Sequence, residues 1–210
     1  GAYAISASVF TQLQQEVICA VSDCGTEQKQ TAVRGTRSVA CVDKLITADS
    51  EFSFDRPPAA VLDITGTAMI RDAKILSGKA VLKGEISAET ASRTGPDDSL
   101  ESQKVSVPFN QILDIDGLSE DCRCFVMVEP VGFTVADSGE AEEKSRLSAT
   151  ALLHLRAFRD FEIHVVSDVF STQYETESET GEIVTETLEK EFNETLTAQT
   201  AGTLPDENAQ

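Results

Sequence analysis

Residues 147–157 alternate strictly between apolar and polar positions. Leu147, Ala149, Ala151, Leu153, Leu155 and Ala157 point one way; Arg146, Ser148, Thr150, His154 and Arg156 point the other. A period of two with one apolar face predicts a half-buried β-strand. Residues 79–86 repeat the pattern, with Ala80, Leu82, Gly84 and Ile86 sharing a face opposite Lys79, Val81, Lys83 and Glu85. Residues 122–135 are apolar on both faces, which predicts a central strand. After Phe158-Arg159-Asp160, read as a turn, Phe161, Ile163 and Val165 resume the alternation. Three successive strands with short turns predict an antiparallel meander, whose dry face needs a second layer.

The rest of the chain is punctuated more finely. Residues 17–21 predict a short strand with Val17, Cys19 and Val21 on one face, and residues 38–46 a second. Glu51-Phe52-Ser53-Phe54 alternates and stops at Arg56-Pro57-Pro58, since proline lacks the ladder donor. A new apolar run starts at residues 60–64. Residues 104–109 are extended, and Pro108 predicts a strand edge or end. Residues 87–101 are polar around Gly95-Pro96-Asp97-Asp98 and read as a long exposed loop or hairpin tip; Asp137-Ser138-Gly139-Glu140 reads as a turn. Abundant Ser, Thr and Val, with no Trp and two Met, fit β structure. The expected fold is mainly β, an antiparallel sandwich-like arrangement.

The C-terminal stretch departs from this pattern. From Glu175 onward it holds ten acidic residues against Lys190 alone, a net charge of −9. Val184, Leu188, Phe192 and Leu196 recur every four residues, as on a short helix, while the Thr-rich composition suits a strand. Residues 183–198 therefore read equally well as a C-terminal helix or a strand. The acidic tail reads as a solvated face, with a docking strip for a basic partner as the functional alternative.

Charge narrows the partners. The chain has 210 residues and a formal net charge of −19, which repels phosphate backbones and anionic lipid headgroups. Nucleic acid is an unlikely partner on this ground, and no run of 18 apolar residues predicts a membrane span. Gly1-Ala2-Tyr3-Ala4 lacks the charged and apolar regions of a secretion signal, and a start at Gly1 reads as trimming or processing. The length suits one large domain or two small ones.

Candidate chemistry is sparse. Of the cysteines, Cys19, Cys24, Cys41, Cys122 and Cys124, an odd number leaves at least one unpaired within a monomer; they read as mostly reduced thiols in a cytosolic protein. Cys122-Arg123-Cys124 places both sulfurs on one face of a strand. Cys19-x4-Cys24 and Cys122-x-Cys124 could form a zinc site only if the fold brought them together; small buried hydrophobes are the better reading. His154 and His164 fall on polar faces and could meet across a hairpin, although a solvated pair fits better. Asp114-Ile115-Asp116-Gly117 with Glu120-Asp121 lacks the ligands of a calcium loop and reads as a turn. Nucleophile elbows, phosphate loops, dinucleotide fingerprints and zinc-protease motifs are missing. His164, Asp168 and a nearby Cys are the one kernel an unfamiliar enzyme could use. Asn193-Glu194-Thr195 spells a glycosylation sequon, set aside without a sign of secretion. The residues favour an interaction or structural role over catalysis, with no catalytic, cofactor or metal residue assigned and no cofactor expected.

Three segments go further when taken together. They are Lys74-Ile75-Leu76-Ser77-Gly78-Lys79-Ala80-Val81-Leu82-Lys83-Gly84-Glu85-Ile86, then Val107-Pro108-Phe109-Asn110-Gln111-Ile112-Leu113-Asp114-Ile115-Asp116-Gly117-Leu118, then Val166-Ser167-Asp168-Val169-Phe170-Ser171-Thr172-Gln173-Tyr174-Glu175. In this order and spacing they resemble the SPOCS domain, the domain of the clostridial spore-morphogenesis protein SipL and of many Firmicute proteins. Phe170 stands where that family closes with Tyr. The resemblance covers roughly residues 52–178, leaving residues 1–51 as a β-rich lead-in or small subdomain and 179–210 as the acidic tail. Residues 191–205 loosely resemble the lead-in starting again, as in a longer, repeated protein.

The resemblance implies a non-enzymatic adaptor of spore coat assembly, placed in the cytoplasm on the mother-cell side of the forespore surface. The implied partner is the coat-basement ATPase, stage IV sporulation protein A, or another copy of the chain. Such proteins often carry a peptidoglycan-binding LysM domain; none lies in these 210 residues. The family has no catalytic residues to carry over. The expected recognition surfaces are residues 87–101 and the acidic tail. The rival reading is an extracellular or cell-surface β-module, either a fibre subunit or a cell-wall or carbohydrate-binding module. With Tyr3 and Tyr174 its only tyrosines and no Trp, the chain offers little to stack on a sugar.

Overall fold

A computed structural model describes residues 15–22, 25–94, 99–137, 144–173, 175, 177 and 179–188. Six strands follow in order: β1 (Thr26–Phe52), β2 (Pro58–Leu76), β3 (Lys79–Thr94), β4 (Ser99–Asp114), β5 (Arg123–Asp137) and β6 (Ser145–Ser171). They form two antiparallel three-stranded sheets, β1-β6-β5 and β2-β3-β4. The mainly β, antiparallel sandwich is the expected fold class. No helix occurs among the described residues. Residues 183–188 adopt neither helix nor strand, and the remainder of 183–198 lies outside the described residues.

The alternating stretches build the core. Ala80, Leu82, Ile86 and Ala88 of β3 face Leu147, Ala149, Ala151, Leu153, Leu155 and Ala157 of β6, all fully buried in one cluster shared by both sheets. Val105, Val107, Phe109 and Leu113 of β4, Ile46 of β1, Val128 of β5, and Ile115, Leu118 and Cys122 between β4 and β5 complete it. Burying each Leu or Ile side chain stabilises the fold by about 2 kcal/mol. Glycines make room for aromatic rings. A Cβ at Gly84 would overlap Cζ of Phe109, and one at Gly66 would lie 2.6 Å from Cζ of Phe133.

Turn chemistry sets the connections. Ser77 and Gly78 join β2 to β3, with Gly78 at φ +74°, where L side chains are strained. The Asp114–Gly117 stretch is a turn, as expected, with Gly117 at φ +80°. It opens the crossover from one sheet to the other. The crossover is pinned because Gly78 N–H donates to the Leu118 carbonyl (2.9 Å) and Ile115 N–H donates to the Gly78 carbonyl (2.9 Å). Pro108 lies in edge strand β4, where its missing donor costs no ladder bond.

Four sequence expectations are corrected. Residues 158–160 form no turn: β6 runs unbroken from Ser145 to Ser171, so the expected three-strand meander becomes a β5–β6 hairpin whose second strand continues along β1. Residues 122–135 do not form a central strand; β5 is a sheet edge, and its second apolar face is half-buried on the outside of the sheet. Of the two readings of residues 87–101, the long exposed loop is the wrong one and the hairpin holds. Paired strand runs to Thr94 and restarts at Ser99, and Thr90, Ser92 and Thr94 are buried. Residues 17–21 are not a strand; they sit outside both ladders, with Cys19 exposed. Of the Asp137–Glu140 turn, residues 138–140 lie outside the described residues.

Candidate interaction surface

The unbroken β6 has a structural consequence. β5 starts at Arg123, opposite Phe158. Beyond that point, residues 159–171 of β6 pair only with residues 26–37 of β1. The sheet narrows there to a two-stranded ribbon. Phe161, Ile163 and Val165 keep the inward parity of the sandwich but lie outside its shared core. Val165 is nevertheless buried, at 6% exposure, while Phe161 and Ile163 are half-buried. Two-stranded ribbons are marginal on their own.

Other parts of the chain support this ribbon. Val166 N–H donates to the Ile18 carbonyl (2.8 Å), and the Gln30 side-chain amide donates to the Cys19 carbonyl (2.9 Å). Residues 182–188 run alongside β1 from the other end of the sequence. Thr36 N–H donates to the Glu186 carbonyl (2.8 Å), Leu188 N–H donates to Thr36 Oγ1 (3.1 Å), and Thr185 Oγ1 donates to the Arg34 carbonyl (2.8 Å). Gly35 makes room for this approach, because a Cβ there would lie 2.7 Å from Cζ of Phe161 and 3.2 Å from Cβ of Thr185. A shallow cavity of about 370 Å³ remains between Arg34, Gly35, Asp160, Phe161, Glu162 and Thr187.

Charged groups fix the base of the ribbon. Arg123 donates through Nη2 to Asp160 (2.7 Å) and through Nη1 to the Leu188 carbonyl (2.9 Å). Thr36 Oγ1 also donates to Asp160 (2.7 Å). The Thr36 hydroxyl, followed by the Arg123 guanidinium, holds the Asp160 carboxyl below its ordinary value; Arg34 does the same for Glu162, at 2.6 Å. Arg159 reaches back to the crossover, where it pairs with Asp121 (3.1 Å) and donates to the Gly117 carbonyl (3.1 Å) and to Ser119. The residues read as a turn, Arg159 and Asp160, are thus ion-paired strand residues. A charged pair signals a turn only when its partners are unknown, and Asp121 and Arg123 are distant in sequence.

The cysteines are spread over this region. Cys19, Cys41, Cys122 and Cys124 are free thiols; Cys24 lies outside the described residues. Burial opposes ionisation of Cys122, but hydrogen bonds from Ser119 and contact with Arg159 outweigh it and lower its pKa. Burial, followed by the charge of Cys122, raises Cys124. A four-cysteine zinc site is not assembled. Cys19 lies beside Gln30, while Cys122 lies beside Arg159, which pairs with Arg37; the two are roughly 23 Å apart at the strand rise. Among the described residues, no three metal-ligating side chains cluster.

The histidines do not meet. Both lie on β6, roughly 33 Å apart along the strand. His154 Nδ1 contacts Asp43 at 2.6 Å and is mostly buried, while His164 is half exposed, 3.9 Å from Glu162. Asp168 is exposed and roughly 13 Å along the strand from His164, so the enzyme kernel is not brought together. In the acidic tail, Glu175, Glu177, Glu179, Glu182 and Glu186 are exposed; Tyr174 and the 193–195 sequon lie outside the described residues.

No curated protein and no solved structure matches the chain. A family match does exist, spanning β2, β3, β4 and most of β5; it leaves β1, β6 and the third quoted segment, 166–175, outside. Residues 59–135 match the family described as SipL, SPOCS domain.

Proposed function

We propose that the chain is a non-enzymatic structural or adaptor protein of spore coat assembly, acting by protein–protein interaction on the mother-cell side of the forespore surface. The SPOCS match over residues 59–135 carries this reading, since it supports a sporulation-related protein. Two features of the fold agree with it. The β1–β6 ribbon extends past the shared core with sparsely bonded edges, the kind of surface that recruits another strand. The exposed carboxylates of Glu175, Glu177, Glu179, Glu182 and Glu186 would face a basic partner. Residues 87–101 are mostly paired in the β3–β4 ladder, so the ribbon takes their place beside the acidic tail as a recognition surface.

The mechanism is passive. Partners dock on edges and charge, and no bond is made or broken. The test is a pull-down from a sporulating lysate of the source organism, with the 210-residue chain as bait and mass spectrometry as readout. Recovery of the coat-basement ATPase or other coat proteins is expected. Recovery of cell-wall glycan or metabolic enzymes alone would contradict the reading.

A further inference from the structure

The 182–188 segment occupies its edge on unusual terms. It runs parallel to β1, with Thr185 beside Arg34 and Glu186 and Leu188 beside Thr36. Among the described residues, one main-chain to main-chain hydrogen bond, Thr36 N–H to Glu186 O, joins the two. The other contacts use the hydroxyls of Thr36 and Thr185 and the guanidinium of Arg123. The segment is therefore seated by a few bonds centred on Thr36, beside a cavity it does not fill.

The tether is long. β6 ends at Ser171, which pairs with Thr26 at the ribbon tip. To reach Arg34, the chain must double back roughly 26 Å along β1. The stretch from Ser171 to Thr185 can span up to about 46 Å. It therefore has slack to return to its own edge or to swing outward from the tip.

We propose that the β1 edge at residues 34–36 binds the 182–188 segment of a second copy of this chain, exchanged for its own. The inference rests on the assembly reading above and names self-association as its partner. The occupant is known to fit, because the same residues make the same bonds within one chain, and such exchange adds no new contact chemistry. Its cost is the effective concentration of the tethered segment, on the order of millimolar for a tether whose reach exceeds the span. Exchange therefore becomes appreciable as the protein approaches millimolar concentration, as in a packed protein layer. The charge of −19 on each copy opposes association, so added salt favours it.

The test uses the full chain with Cys19, Cys24 and Cys41 replaced by Ser. One variant carries Arg34→Cys and the other Thr187→Cys, two positions that line the same cavity. The variants are mixed and oxidised at concentrations from about ten micromolar to about one millimolar. Interchain product between unlike variants, rising with concentration and with salt, is expected. The double variant, cross-linking within one chain, reports that the edge is intact. Thr36→Pro is then added to the Arg34→Cys copy alone. It removes the outward-facing N–H and the hydroxyl while sparing the β1–β6 ladder. The partner's segment then prefers its own intact edge, and the unlike product falls by about thirtyfold, as two lost hydrogen bonds predict. Intrachain product in the double variant with no unlike product at any concentration would overturn exchange. An unlike product insensitive to Thr36→Pro would overturn the assigned edge. Capture of coat proteins in the pull-down would survive either result, so failure of exchange is distinguishable from failure of the adaptor reading.

Discussion

Along one face of β6, Leu147, Leu153 and Leu155 are fully buried against a second sheet, while Phe161 and Ile163, further along the same face, stay half-buried on the ribbon. The two regions share a strand, a parity and a ladder with β1. They differ in what lies opposite. In the sandwich, apolar area excludes water, and non-directional burial dominates. The ribbon lacks that covering sheet and is held by its β1–β6 ladder together with directional bonds through Thr36, Arg123 and Asp160. Buried apolar area gives the sandwich a large and cooperative stability. With no second sheet over it, the ribbon can open locally, which suits an element that exchanges partners.

The largest expected effect lies in the sandwich. Leu153→Ala removes a fully buried side chain and should cost about 3–4 kcal/mol of global stability, read as a lower denaturant midpoint; an unchanged midpoint would mean the shared core is misassigned. Next, Gly84→Val drives a side chain into the Phe109 ring and the Met69 carbonyl, 2.5 Å from the added Cβ. About 2–3 kcal/mol of destabilisation should follow, with the thermal midpoint as readout.

The ribbon should respond locally. Arg123→Ala loses the hydrogen bond to the Leu188 carbonyl, worth about 1 kcal/mol. Amide exchange should speed up for residues 26–36 while the denaturant midpoint barely moves; equal losses in both regions would merge them into one unit. Acid should separate them as well. Asp160 and Glu162 have lower pKa values in the folded chain than their ordinary 3.8 and 4.5. Their stabilising contribution is complete above those ordinary values and is lost as pH falls through the lower folded ones. Ribbon amide signals in NMR spectra should therefore weaken below about pH 4, ahead of those of β3. The smallest effect concerns a thiol at the junction. Arg159→Leu removes a cation beside Cys122 and should slow its alkylation near pH 8 a few-fold; an unchanged rate would remove Arg159 from the causes of its lowered pKa.

The sequence shows the sandwich more readily than the ribbon. In β3 and β6 one face is buried along the whole alternating run, so a period of two survives in the residues themselves. Pro57-Pro58 and Asp116-Gly117 mark connections through backbone chemistry that is local. The misread places are those where distant partners change a residue's meaning. Phe158-Arg159-Asp160 looks like a turn until Asp121 and Arg123 pair with it. Thr90 and Thr94 look like loop until their hydroxyls find the Gln103 and Ser99 carbonyls inside the β3–β4 hairpin. The apolar outer face of β5 suggests a central strand, although pairing leaves it at an edge. The 182–188 contact has no local sequence signal, since a Thr-rich acidic stretch reads as solvated.

Native-state hydrogen exchange on the intact chain tests the central contrast most directly. The account predicts that amides of residues 80–88 and 147–157 exchange only through global unfolding. Those of residues 28–36 and 160–170 should exchange through a smaller opening, largely insensitive to denaturant. Ribbon amides as protected as the core, with the same denaturant dependence, would contradict it.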